Sequence, residues 1–258
     1  VETNETLQDQ TTKLEISNER LEKKTTEALT FAQEAQRQAE ISQAVNDFFN
    51  NDMLASVAPS AEAGRGKDVL MREVLDAASE KIGERFEGKP VIEAEILKTI
   101  GNTYLALGEY PKSEPHLKRS LLLRTQALGE EDEDTVTSKS HLGALYHSQG
   151  QYEEAERIFL EVLDVRRRDL GEDNSQTIES LNNLGAVYVA EGRYPEAEPL
   201  YLEALEGAVE VLGEDHERTL LTRNNLATLY SSQGRFKEAE PLFLDILERR
   251  RSGLGDSH

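Results

Sequence analysis

Five histidines and several runs of carboxylates are the groups in this chain whose chemistry could support catalysis or metal binding. His141 and His147 stand six residues apart, on different faces of a helix, and the metalloprotease string HExxH does not occur. His216 follows Glu214 and Asp215 in a stretch that could hold a metal weakly. The better interpretation of that stretch is a linker that enters a helix, so we expect no metal site.

Three further motifs match functional sites only in part. Residues 64–67, Gly-Arg-Gly-Lys, are similar to a phosphate-binding loop but lack its flanking strand and full spacing. The acidic run at 130–134 lacks the alternating ligands of a calcium site and is typical of a solvated linker. The basic runs at 166–168 and 249–251 suit the negative ends of helices, although binding of a phosphate or carboxylate stays open. The sequence therefore predicts no catalytic residue, no cofactor and no enzymatic activity.

The charge balance argues against two large classes of partner. The 258 residues include 50 Asp and Glu against 29 Lys and Arg, which gives a formal net charge of −21. Such an acidic excess repels nucleic-acid phosphates and anionic lipid headgroups. The chain has no cysteine, and no apolar run approaches the roughly 20 residues of a membrane-spanning helix. We expect a cytoplasmic protein that does not bind nucleic acid, and the charge balance disfavours contact with a membrane.

A repeat of 42 residues organises most of the chain. Four copies place small, aromatic and helix-breaking residues in the same register: Gly101, Gly143, Gly185 and Ala227, then Tyr104, Tyr146, Tyr188 and Tyr230, then Gly108, Gly150, Gly192 and Gly234. Because the chain opens at Val1 and its last residue, His258, aligns with His216, we expect a fragment whose last unit is truncated.

Each copy has the pattern of two helices. In the third copy, apolar residues from Ile178 to Tyr188 recur every three to four positions, as on a helix with one buried face. Gly192 suits the end of this helix and Pro195 the first turn of the next, which continues to Leu212. A single pair cannot bury its apolar face, so stacked pairs must form a continuous core.

These positions resemble the tetratricopeptide repeat, which has small and aromatic residues where this chain has Gly185, Tyr188, Gly192, Ala197 and Tyr201. The 42-residue length and the strings Ser-Leu-Asn-Asn-Leu at 180–184 and Leu-Gly-Glu-Asp-His at 212–216 are similar to the kinesin-light-chain subfamily. The resemblance covers residues 91–258, where it implies an all-α superhelix of four units. It also implies a scaffold that binds a protein or peptide.

The N-terminal third differs in composition from the repeats. Residues 1–58 contain neither Gly nor Pro, which predicts one long helix. Leu7, Leu14 and Leu21 recur every seven residues, the spacing of a coiled coil, so this helix could form a homodimer. A solvated helix that leans on the array, and membrane-surface contact near its end, are the alternatives. Residues 59–90 are interpreted as a loop, at 59–67, followed by a degenerate half-repeat with a helix over 68–86.

Two kinds of bacterial protein resemble this whole arrangement. The stretches at 44–49 and 72–75, followed by the array, look like the region downstream of the kinase domain in certain serine/threonine kinases. They also look like bacterial kinesin light chains, which implies a tubulin-like filament as partner. The chain is therefore either an interaction scaffold or the regulatory region of a signalling kinase.

The binding surface is expected on the face formed by the first helix of each unit. The side chains that helical spacing places there include Lys98, Asn102, Ser140, His147, Asn182, Asn224 and Thr228. An asparagine amide both donates and accepts hydrogen bonds, which matches the backbone of an extended peptide. The resemblance supports peptide contact by Asn182 and Asn224, and more weakly by Asn183 and Asn225. The alternative is that these asparagines bridge neighbouring helices.

Overall fold

In the computed structural model, the backbone is described for residues 2–53 and 71–254, and the side chains for residues 17–50 and 72–252. The loop predicted at 59–67, the phosphate-loop-like stretch within it, the side chains of Leu7 and Leu14, and His258 lie outside the described residues. The chain divides into two compact units, one that ends at Lys81 and one that begins at Ile82.

The first unit contains the predicted long helix. Helix α1 spans Glu2–Asp47 and passes into a π-helical segment, Phe48–Met53. Along the described part of α1 most side chains are exposed, and the large apolar residues Leu21 and Phe31 are 65% and 78% exposed. Burial begins near the end of the helix, at Ile41 and Phe48.

Helix α2 spans Met71–Arg85 within the segment predicted to be helical from 68 to 86. Its apolar side chains form one buried stripe at helical spacing: Val74, Leu75, Ala78 and Ile82. This period is that of a helix that buries a single face, and the interpretation of the segment as a half-repeat stays a prediction.

The second unit is the array of paired helices that the repeat predicts. Its helices are α3 Pro90–Ala106, α4 Tyr110–Leu128, α5 Glu133–Ser148, α6 Tyr152–Leu170, α7 Ser175–Ala190, α8 Tyr194–Leu212, α9 Glu217–Ser232 and α10 Phe236–Leu254. The two helices of each pair pack on each other, and each second helix packs on the first helix of the next pair. The first helices also contact one another along the array, from α3 to α5, α7 and α9. The predicted all-α superhelix is confirmed.

Glycine and proline set the turns between helices. Gly192 has a φ of 76°, which only glycine adopts without steric cost. After it, the N–H of Arg193 donates to the carbonyl of Tyr188 at 2.8 Å and closes the end of α7. Pro195 then lies in the first turn of α8, where its missing N–H leaves no helical bond unmade.

Small residues let the two helices of a pair approach closely, as the repeat predicts. A Cβ atom on Gly185 would lie 2.6 Å from Cε1 of Tyr201, and one on Gly143 would lie 2.8 Å from Cε1 of Phe159. Both aromatic rings are buried. Each ring of a second helix therefore occupies the space that the glycine of the first helix leaves open.

Among the described residues, no helix is both long enough and apolar enough to cross a bilayer.

Candidate peptide-binding groove

The first helices of the third and fourth units enclose an open pocket of about 390 Å³. Its apolar lining is Ile178, Ala186 and Leu221, and its polar lining is Ser175, Glu179, Asn182 and Asn183 from α7 with Arg218, Thr222 and Asn225 from α9. We call this space the α7–α9 pocket. Three of the predicted binding residues line it: Asn182, Asn183 and Asn225.

Hydrogen bonds between side chains join the first helices across this surface. Asn182 donates from Nδ2 to Oγ1 of Thr222 at 2.9 Å and to the carbonyl of Ile178 at 3.0 Å. Its Oδ1 accepts a 3.0 Å bond from Nδ2 of Asn225. Three bonds thus engage this amide, two of them with α9. The alternative interpretation, that an asparagine bridges neighbouring helices, applies to Asn182.

The same pairing occurs one unit earlier in the array. Asn183 donates from Nδ2 to Oγ of Ser140 on α5 at 3.5 Å. Ser140 and Asn183 are separated by the same 43 positions as Asn182 and Asn225. The bond length and the small hydroxyl make this contact weaker than the one between the two asparagines.

The other predicted binding residues lie outside the pocket. Nζ of Lys98 lies 2.8 Å from a carboxylate oxygen of Glu95. Oδ1 of Asn102 and Nε2 of His147 are buried, and each lacks a hydrogen-bond partner among the described residues. Asn224 is half-buried and Thr228 is exposed. The structure thus brings four of the nine predicted residues together: Ser140, Asn182, Asn183 and Asn225. The remaining five lie elsewhere.

His141, on α5, is a histidine without an assigned role. Burial and, after it, the positive charges of Lys98, Arg124 and Arg166 lower the pKa of His141 to about 4, while Glu95 opposes them. The imidazole is therefore neutral at physiological pH. It adds no charge to the first-helix face.

Two buried arginines tie consecutive units together, and the sequence interpretation missed them. Arg124 and Arg166 are each 2% exposed. Arg166 donates to Oγ of Ser180 at 3.0 Å, to the carbonyl of Gln176 at 3.1 Å and to Oε1 of Glu133 at 3.0 Å. The interpretation of 166–168 as a simple end-of-helix charge cluster is therefore wrong for Arg166, whose guanidinium is used inside the array. The recurrence of Arg and Ser at 42-residue spacing was the signal that could have identified it.

Four more arginines of the two basic runs, Arg167, Arg168, Arg249 and Arg250, pair with carboxylates of the chain. Arg168 contacts Glu131 at 3.1 Å, and Arg249 contacts Asp215 at 2.8 Å. A phosphate or carboxylate ligand at these four arginines has no support from the contacts, because carboxylates of this chain already pair with their guanidinium groups.

The acidic linkers cap the helices that follow them. Side chains of Asp132, Asn174 and His216 accept the N–H two residues later, at 3.0, 2.8 and 3.1 Å. His216 is thus the N-cap of α9, which explains its place beside two carboxylates. Within the part of the chain that the structure describes, no three His, Asp or Glu side chains are grouped so as to hold a metal ion.

Comparison with known proteins relates this geometry to a family. The family described as "Tetratricopeptide repeat" matches residues 93–168, 134–208 and 176–252. One similar solved structure, of a single-substitution variant, is described as "Podosopora anserina putative kinesin light chain nearly identical TPR-like repeats". It has 18% identity and a TM-score of 0.59, and the match covers 85% of this chain and 96% of that one. BtubC (BKLC) from P. vanneervenii has 20% identity and a TM-score of 0.56, with 86% and 93% covered. No curated protein sequence matches. At these identities the structural likeness shows the fold alone.

Proposed function

Because the chain belongs to the tetratricopeptide repeat family, we propose that it is a non-catalytic scaffold that binds an extended segment of a partner protein along its first-helix face. The observation that carries this proposal is the α7–α9 pocket, which is open to ligand and lined by amide, hydroxyl and carboxylate groups. A concave site with few, placed polar groups is the usual form of a binding site.

The bridging role of Asn182 changes which asparagines would contact the partner. Its amide is already engaged three times, so it orients the site and is a poor donor to a ligand. Asn183 and Asn225 each use Nδ2 within the array, and no hydrogen bond to their Oδ1 is found within the described residues. We therefore assign the contact with a partner backbone N–H to Oδ1 of Asn183 and of Asn225.

A groove-filling substitution tests the location of the site. Ala186 lines the pocket, and Trp in its place would occupy the space that a bound segment needs. Leu202 on α8 is 46% exposed and gives a matched control for added aromatic surface. Pull-down from the native cell extract should recover the same partners with wild type and Leu202→Trp and lose them with Ala186→Trp. Equal recovery by all three chains, with equal melting temperatures, would place binding elsewhere.

The class of partner is a finer proposal. The fold of BtubC (BKLC) is similar, and the sequence resemblance implies a bacterial tubulin-like filament. Co-sedimentation with such filaments tests this partner directly. The second candidate, a regulatory array of a serine/threonine kinase, is tested by the gene upstream of Val1, which should then encode a kinase domain.

Self-association through α1 is a further part of the proposal. Leu21 and Phe31 are exposed in the single chain and would be covered in a helical dimer. Removal of apolar surface from water is what stabilises such a pairing. The array would then be presented in two copies, which raises avidity for a repetitive partner such as a filament.

A further inference from the structure

Equivalent positions in three consecutive second helices carry Arg124, Arg166 and Ala208, spaced by 42 residues. In the first of these units the guanidinium of Arg124 donates to Oγ of Ser138 at 2.8 Å and to the carbonyl of Asp134 at 3.0 Å. It also pairs with the carboxylate of Glu95. The arginine thus connects the first helix of its own unit with the first helix of the next.

The third unit keeps these acceptors but lacks the arginine. In the register of the repeat, the counterparts of the three acceptors are Glu179, Thr222 and the backbone carbonyl of Arg218, each 84 positions later. The hydroxyl of Thr222 bonds that carbonyl at 3.1 Å. Ala208 ends at Cβ and cannot reach them. All three acceptor residues line the α7–α9 pocket.

We propose that the α7–α9 pocket binds the guanidinium group of an arginine side chain that the partner supplies. The group would take the place that Arg124 and Arg166 fill from within the chain in the preceding units. This inference rests on the proposed function, since it names the side chain that the groove recognises. A carboxylate, a hydroxyl and a carbonyl suit the planar fork of a guanidinium better than the point charge of an ammonium.

One cation of the chain itself is close to this site. Nη1 of Arg218 lies 3.9 Å from Oε2 of Glu179, and their side chains are 54% and 45% exposed. An exposed pair at this separation contributes little, so a ligand that makes two direct hydrogen bonds displaces it. The net charge of −21 also favours approach of a cationic segment.

Titration of the full chain with small probes, followed by NMR of backbone amides, tests the proposal. N-acetyl-arginine amide is the ligand, and N-acetyl-citrulline amide is the neutral control of nearly the same shape. The amide signals of Thr222 and Asn225 should shift and saturate with the arginine probe, and the citrulline probe should bind about tenfold or more weakly. Equal binding of the two probes, or no binding of the arginine probe, overturns the proposal.

Two variants locate the binding within the pocket. Glu179→Gln keeps the shape and removes the charge, so the arginine probe should bind it about tenfold or more weakly. Ala208→Arg with Ile178→Val rebuilds the second unit's arrangement, in which Arg166 accompanies Val136, and should abolish binding. If Glu179→Gln binds the arginine probe with unchanged affinity, the proposal is overturned, whether or not the double variant folds.

The outcome is separable from that of the proposed function. If Ala186→Trp loses the partner while the arginine probe does not bind, the groove is correct and the guanidinium site is wrong. If the probe binds as expected while Ala186→Trp keeps the partner, the pocket recognises arginine and the partner segment binds on another face.

Discussion

The side chain of Asn225 donates a 3.0 Å hydrogen bond to Oδ1 of Asn182 and so joins α9 to α7 across the first-helix face. The acceptor is one of the two residues, with Asn224, for which the sequence most strongly predicted contact with a peptide. Its engagement within the array means that one residue contributes both to stacking of the units and to the shape of the pocket beside it. Stability and binding are therefore coupled at Asn182 and separable at its neighbours.

Asn182→Ala should destabilise the array, because it removes two hydrogen bonds to α9 and leaves Thr222 and Asn225 without their partner. At about 0.5–1.5 kcal/mol for each net bond, the loss is about 1–3 kcal/mol. Asn224→Ala is the matched control, since Asn224 occupies the equivalent position in α9 and lies outside the pocket. Urea unfolding should separate the two variants. Equal midpoints would show that the bridge between α7 and α9 does not contribute to stability.

Gly185→Leu should destabilise the array by about 1–3 kcal/mol, because even a Cβ at this site lies 2.6 Å from the buried ring of Tyr201. Gly83→Leu is the control within a helix, where a Cβ would meet nothing within 4 Å. The free energy of unfolding of Gly83→Leu should be unchanged or slightly higher than that of wild type, since glycine inside a helix costs about 0.5–1 kcal/mol relative to alanine. Thermal melts measure both changes. A Gly185→Leu melt as high as that of Gly83→Leu would exclude a tight contact at Tyr201.

His141 should make the array less stable in mild acid. Its folded pKa of about 4 lies below the ordinary 6.5, so the unfolded chain binds a proton first as pH falls. The stabilisation is complete above about pH 6.5 and is lost as pH falls to about 4, by up to about 3 kcal/mol. His141→Gln lacks this titration. The difference in unfolding free energy between wild type and variant should therefore change with pH in this window, and a constant difference would contradict the low pKa.

His216→Asn should stabilise the array by about 0.5–1 kcal/mol, because asparagine is among the best N-cap residues. The cap of α7 already has this form, with Oδ1 of Asn174 2.8 Å from the N–H of Gln176. As the reciprocal control, Asn174→His should lower stability. Melting temperatures of the two exchanges should move in opposite directions. A lower melting temperature for His216→Asn would indicate that the imidazole has a role beyond capping.

Removal of residues 1–40 should abolish self-association, because the exposed apolar side chains of the long helix, including Leu21 and Phe31, are lost. Light scattering across a range of concentrations measures the stoichiometry. Leu21→Lys in the full chain is the point control and should weaken the dimer by repulsion at the seam. If the full and shortened chains form particles with the same number of protomers, the array and not α1 controls assembly.

The order of helices was predictable because local physics determines it. Gly192 takes a backbone angle that suits glycine, and Pro195 lies in the first turn of α8. The spacing of apolar residues from Ile178 to Tyr188 decides which face of α7 is buried. Each of these effects acts within one or two turns of chain. The 42-residue register then repeats the result from unit to unit, so the paired helices and the close contacts of Gly143 and Gly185 follow from the sequence.

The hydrogen-bond partner of each polar side chain depends on distances between units. These distances cannot be predicted from the spacing of residues along one helix. Only the packing of α7 beside α5 and α9 shows that Asn182 bridges two helices and that, within the described residues, no hydrogen bond reaches Oδ1 of Asn183 or Asn225. Likewise, the 42-residue spacing of Arg124 and Arg166 could mark these arginines in the sequence, but only the burial of Arg124 beside Glu95 shows what its guanidinium contacts. The sequence alone determined the repeat and its two helices, because these arise from contacts between near neighbours. The tertiary structure decided which polar side chains meet between units, because those contacts join residues that lie about one repeat apart in the sequence.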